Sequence, residues 1–205
     1  LLDFLRRRDF LVSAEGLRTL AGAHLASRRI EDARVPLHIV ATDILSGEPV
    51  VLSSGDAVDA LVASAAIPAA FAPVLIDRRF LADGAITSNT PVRVAVELGA
   101  TRLVVLPTGF ACARQEPPRG AVASALHALT LLIARQLVAE LEGLPAHIDY
   151  AIVPTLCPLD GSPYDFSHTG AMIDASEAGT RRWIAGGGLA ARVIPDGLRA
   201  HSHRA

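Results

Sequence analysis

Residues Ala63 to Ala100 read ASAAIPAAFAPVLIDRRFLADGAITSNTPVRVAVELGA, and the architecture is decided by how this stretch is punctuated. Pro68 stops a helix, and together with Pro73 it fixes the path of the chain into a strand. Two short β-prone runs follow, Ala72–Ile76 and Arg79–Ala82, joined by Asp77-Arg78. The second run leads straight into Asp83-Gly84-Ala85. Thr90 as N-cap and Pro91 at the first helical position then open a helix that stops at Gly99. An acid and a glycine at the end of an apolar strand are the residues around which any chemistry of this chain must be sought.

Upstream of this stretch, Ser54 or Asp56 caps a helix running to about Ala65. Pro36–Ile44 is a β-rich apolar run of the kind found in a buried strand, and Val50–Leu52 returns from the Ser46–Pro49 turn as its hairpin partner. Ser13 opens an amphipathic helix with Leu17, Leu20 and Leu25 on its apolar side, and Leu1–Phe10 reads as the tail of a preceding helix. Downstream, Arg102–Pro107 and Tyr150–Thr155 read as buried strands. They flank a long helix, Val122–Glu142, with apolar residues at three-to-four spacing. Pro158–Ser167 reads as loop and Thr169–Ala185 as helix, broken at Gly186-Gly187-Gly188. Strands alternating with helices predict an α/β fold with a largely parallel sheet in three layers. Residues 1–195 read as one domain with no internal boundary, and 196–205 as a disordered tail.

Composition narrows the function classes. The net charge is −2, so nucleic acid is not an expected partner. All 19 basic residues are Arg, as a GC-rich bacterial genome would encode. Cys112 and Cys157 show no zinc or C-x-x-C spacing and read as ordinary thiols of a reducing compartment, which favours the bacterial cytoplasm. No cofactor and no metal is expected. The seven histidines show no ligand spacing, His201 and His203 included, and no acidic loop suits calcium. The uncharged runs Ala60–Ile76 and Gly120–Ala134 fall short of the roughly 20 residues that span a bilayer.

Taken in order, Thr42-Asp43, Ala63-Ser64, Ala66, Pro68, Phe71, Pro73, Asp83-Gly84-Ala85, Asn89, Pro91 and Leu103–Leu106 form a pattern that resembles the patatin-like phospholipases. The resemblance is firm over Pro36–Leu106 and weaker on either side. It implies a lipid acyl hydrolase with a Ser-Asp dyad, in which Asp83 is the catalytic base. It also implies a lipid or other acyl-ester substrate, and it is compatible with peripheral membrane contact. A serine hydroxyl is a poor nucleophile until a base takes its proton, and here the carboxylate would do so directly, about 3 Å from the serine oxygen. Taken alone, an Asp-Gly pair reads first as a turn cap; the flanking pattern favours the base.

The other half of the dyad is not in these residues. No G-x-S-x-G elbow occurs between Leu1 and Ala205, nor does a glycine-rich oxyanion segment ahead of one. Met172 is the one methionine, so the chain is expected to be the C-terminal portion of a longer patatin-like domain, with its first strands missing and inactive by itself. Ser64 sits late in an Ala-rich helix and makes a poor nucleophile. Asp43 reads as a turn anchor and Asn89 as closing a polar turn. The alternative is a non-catalytic lipid-binding or interaction module of the same fold.

Overall fold

The computed structural model describes residues 10–107, 112, 116–157 and 167–202. The helix tail expected at Leu1–Phe10, save Phe10 itself, lies outside the described residues, as do residues 158–166 of the expected loop and residues 203–205. The chain divides into two compact units between Asn89 and Thr90, where no sequence signal marked a boundary.

In the first unit, α1 (Glu15–His24) starts where the Ser13 hydroxyl accepts from the Glu15 amide at 3.3 Å. Strand β1 (Ile39–Asp43) pairs with β2 (Pro49–Leu52) as the expected hairpin. Helix α2 (Ala57–Ser64) is capped by Asp56, whose carboxylate accepts from the amides of Val58 and Asp59. Strands β3 (Val74–Ile76) and β4 (Arg79–Asp83) complete a four-stranded sheet in the order β2-β1-β4-β3. Every pairing in it is antiparallel, which corrects the largely parallel sheet that the alternation of elements implied. For two of the three pairings the reason is connection length: a parallel return needs a dozen residues or more, whereas residues 44–48 join β1 to β2 and Asp77-Arg78 alone joins β3 to β4.

The core of this unit is Ile30, Ile39, Ala41, Leu52, Ala57, Ala60, Val62, Ala63, Val74 and Leu81, with α2 packed over β1 and β4. Its small residues let helix and sheet approach closely. Because β1 is central, Ile39, Val40, Ala41 and Thr42 are all buried, as a continuous apolar run requires.

A short helix, α3 (Ala85–Ser88), follows β4 and contacts β1.

The second unit holds the one parallel pair among the described strands, β5 (Arg102–Val105) beside β6 (Asp149–Ile152), in register from Arg102↔Asp149 to Val105↔Ile152. The crossover carries α5 (Ala121–Glu142), so this unit has the predicted β-α-β arrangement. Leu103, Val105, Tyr150 and Ile152 pack with Leu137, Leu141, Leu144 and Ile148, and with Val92 of α4 (Val92–Glu97). Strand β5 is half-buried, its Arg102 and Val104 facing out. Residues Ala123–Glu142 of α5 are long and apolar enough to cross a membrane by length and composition alone, although Ala134, Leu137 and Leu141 are buried. Helix α6 (Thr169–Ala185) ends at Gly186, and Gly187 takes a left-handed φ of 83° before a 3-10 turn at Gly188–Ala190. Residues 196–202, expected to be disordered, are ordered: Asp196–Leu198 forms a 3-10 turn and Leu198 is buried in the core. Leu198 in the core and the Arg199–Glu142 ion pair tie the segment to the unit.

Candidate functional site

The backbone at Asp83 is held by both its neighbours. Its amide donates to the Ala66 carbonyl at 3.0 Å, the Gly84 amide donates to the Ser64 carbonyl at 3.3 Å, and the Thr42 hydroxyl donates to the Asp83 carbonyl at 2.9 Å. Thr42 is fully buried, and its hydroxyl lies 3.0 Å from that of Thr87 on α3. The strand end is thus pinned to β1, to the end of α2 and to the turn after it.

The Asp83 side chain is half-buried at the tip of β4, and its Oδ1 accepts from the Ala85 amide at 2.8 Å. Burial pushes its pKa above the usual carboxylate range, and the Ala85 hydrogen bond opposes the rise only in part. A carboxylate raised in this way is a stronger base than an exposed one. One oxygen caps the turn, as the turn-cap reading of the Asp-Gly pair expects, while burial raises the pKa of the group.

Gly84 does not draw on the conformational freedom of glycine, since its φ of −62° and ψ of −24° suit any residue. What forbids a side chain is space, because a Cβ there would collide with the Val40 carbonyl oxygen on β1. Ala85 opens α3 and supplies the capping amide.

Ser64 is committed elsewhere: its hydroxyl donates to the Val40 carbonyl at 2.7 Å, tying the end of α2 to β1. Asp43 is the turn anchor expected, its Oδ1 accepting from the Leu45 amide at 3.0 Å and its backbone amide pairing with Glu48. Asn89 ends α3, and the next helix starts one residue later than predicted, at Val92, because Pro91 with ψ 63° is not helical.

Two groupings escaped the sequence reading. The Thr42–Thr87 hydroxyl pair had one signal, a threonine at the end of an otherwise apolar buried strand, where its hydroxyl must find a partner. The other lies in the second unit, where the sulfurs of Cys112 and Cys157 are 3.4 Å apart and His201 Nε2 is 3.2 Å from Cys157 Sγ. Burial, with Cys112 beside it, pushes the Cys157 thiol up to about 11. The His201 pKa is raised, chiefly by its bond to the Arg199 carbonyl and then by Cys112. The cysteines follow two strands that the fold makes parallel neighbours, which their separation in sequence hides.

Residues 1–96 match the family model described as Patatin-like phospholipase. Over 63 residues the chain is 43% identical to an uncharacterized NTE family protein of Mycobacterium bovis. It is equally similar to uncharacterized NTE family proteins from two Mycobacterium tuberculosis strains, CDC 1551 / Oshkosh and ATCC 25618 / H37Rv. The matched stretch is 31% of this chain and 18% of each relative's length, so the chain spans about a fifth of the relatives it matches. These similarities support a patatin-like relationship for the first 96 residues.

Proposed function

We propose that the chain is part of a patatin-like lipid acyl hydrolase and supplies its catalytic base, Asp83. The observation that carries the proposal is a half-buried carboxylate of raised pKa, fixed at a strand end within the stretch that matches the family model. In the proposed reaction Asp83 takes the proton of a serine hydroxyl as that oxygen attacks an acyl-ester carbonyl. The ester C–O bond then breaks, and the proton passes to the leaving alcohol. Water attacks the acyl-serine in a second round with the same base. Three hydrogen bonds to the backbone of Asp83 and Gly84, one of them from the Thr42 hydroxyl, keep the aspartate in place through both rounds.

The serine of this scheme lies outside Leu1–Ala205, since no G-x-S-x-G occurs in the sequence. Preferred substrates are fatty acyl esters, and contact with a lipid surface is part of the proposal. The test is to read the coding segment upstream of Leu1 and to assay the 205 residues with and without it on a short-chain p-nitrophenyl ester. Turnover only by the extended protein, with a serine elbow in the added segment, supports the hydrolase. An extended protein that has no such serine and no turnover favours the second reading, a lipid-binding module of the same fold, which rests on the missing elbow.

A further inference from the structure

The segments that leave β5 and β6 emerge from the same end of a parallel pair, the end at which α/β sheets collect ligands. Cys112 follows β5, Cys157 follows β6, and the C-terminal segment brings His201 to both. We infer that Cys112, Cys157 and His201 form a binding site for a zinc-class divalent metal ion, one that staples the C-terminal segment to the strand ends. None of these groups belongs to the Asp83 site.

The spacing supports it. Tetrahedral zinc, with Zn–S about 2.3 Å and Zn–N about 2.0–2.1 Å, sets its ligand atoms about 3.5–3.8 Å apart. Here the three separations are 3.4 Å between the sulfurs, and 3.2 and 3.9 Å from His201 Nε2 to Cys157 and Cys112. All three ligand atoms lie within 4.8 Å of one another. Two thiols and an imidazole select a borderline-soft ion over magnesium or calcium, which take oxygen ligands.

The imidazole is also oriented for the task. His201 Nδ1 lies 2.8 Å from the Arg199 carbonyl, which can only accept, so Nδ1 carries the proton and Nε2 turns its lone pair to the sulfurs. Metal-bound histidines are held in this way by an outer acceptor. Three protein ligands leave one tetrahedral position. A cavity of about 500 Å³, lined by Cys112, His127, Leu131, Arg135, Leu198 and His201, gives a water or small anion room to fill it. Binding releases the two thiol protons, so the bound ion carries two thiolates and a neutral imidazole.

The experiment is a titration of the reduced, metal-free 205-residue protein with cobalt(II), followed by zinc. The expected result is one equivalent of cobalt with thiolate-to-cobalt charge-transfer absorption and intense tetrahedral d–d bands, all displaced by zinc. Cys112→Ser with Cys157→Ser should remove the charge-transfer bands. His201→Ala, in the C-terminal segment, should keep them and weaken zinc binding at least about 10-fold. Far-ultraviolet circular dichroism checks that the variants are folded. On the unsubstituted protein alone, zinc should slow the reaction of both thiols with a disulfide reagent. The inference is overturned by an absence of charge-transfer absorption at equimolar cobalt, by thiol reactivity that zinc leaves unchanged, or by a His201→Ala protein that binds zinc as tightly as the original.

Discussion

Asp83 is costly to the fold in the form in which it would be useful. Its folded pKa is raised, so the folded chain binds more protons than the unfolded one in the window above the ordinary aspartate value of about 3.9. Stability from this group is therefore full below that value and is lost as pH rises through the higher folded pKa. Asp83→Asn, which keeps an oxygen for the Ala85 amide, should raise the melting temperature at pH 7 and leave it nearly unchanged below pH 4. Asp83→Ala loses the cap as well and should forfeit about 1 kcal/mol relative to Asp83→Asn, measured by urea unfolding. Beside it, Gly84→Ala should destabilise by about 1–3 kcal/mol, because the added methyl meets the rigid Val40 carbonyl rather than a mobile side chain. The aspartate and the glycine were legible in the sequence as a motif. The reason for the glycine was not, because a collision with another strand is a tertiary fact that no local pattern carries.

At the scale of elements, short-range signals were the most legible. Asp56 as one of two candidate caps, the Ser46–Pro49 turn with its β1–β2 hairpin, and the long helix before β6 all follow from spacing and turn chemistry. The β3–β4 turn is the element most at odds with its own sequence. Asp77 and Arg78 both take left-handed φ values, 47° and 62°, in a two-residue loop where such turns favour Asn-Gly. Arg78→Gly should therefore stabilise the protein by about 0.5–1 kcal/mol in thermal or urea unfolding, the relief of the side-chain clash outweighing the entropy that glycine loses. Strand direction was misread in the first unit, because alternating strand and helix patterns do not reveal which strands become neighbours. The short connections after β1 and β3 fix two of the three directions.

At the scale of the whole chain there are two units, each with its own core. In the second, Leu141 is almost fully buried in the core it shares with Leu137, Leu103 and Ile152, and Leu141→Ala should cost about 2–5 kcal/mol in denaturant unfolding. The cysteine–histidine grouping belongs to this scale as well, since its members come from three distant parts of the chain and become neighbours only once β5 and β6 align. The same limit applies to the proposed reaction, whose base is legible here and whose nucleophile is not among these residues. The most direct measurement compares the extended protein, carrying the coding segment upstream of Leu1, with its Asp83→Asn variant, in ester hydrolysis and in melting at pH 7. Hydrolysis should fall by about 10²–10⁴-fold while the melting temperature holds or rises. Unchanged hydrolysis, or a loss accompanied by a lower melting temperature, would mean that Asp83 only caps its turn.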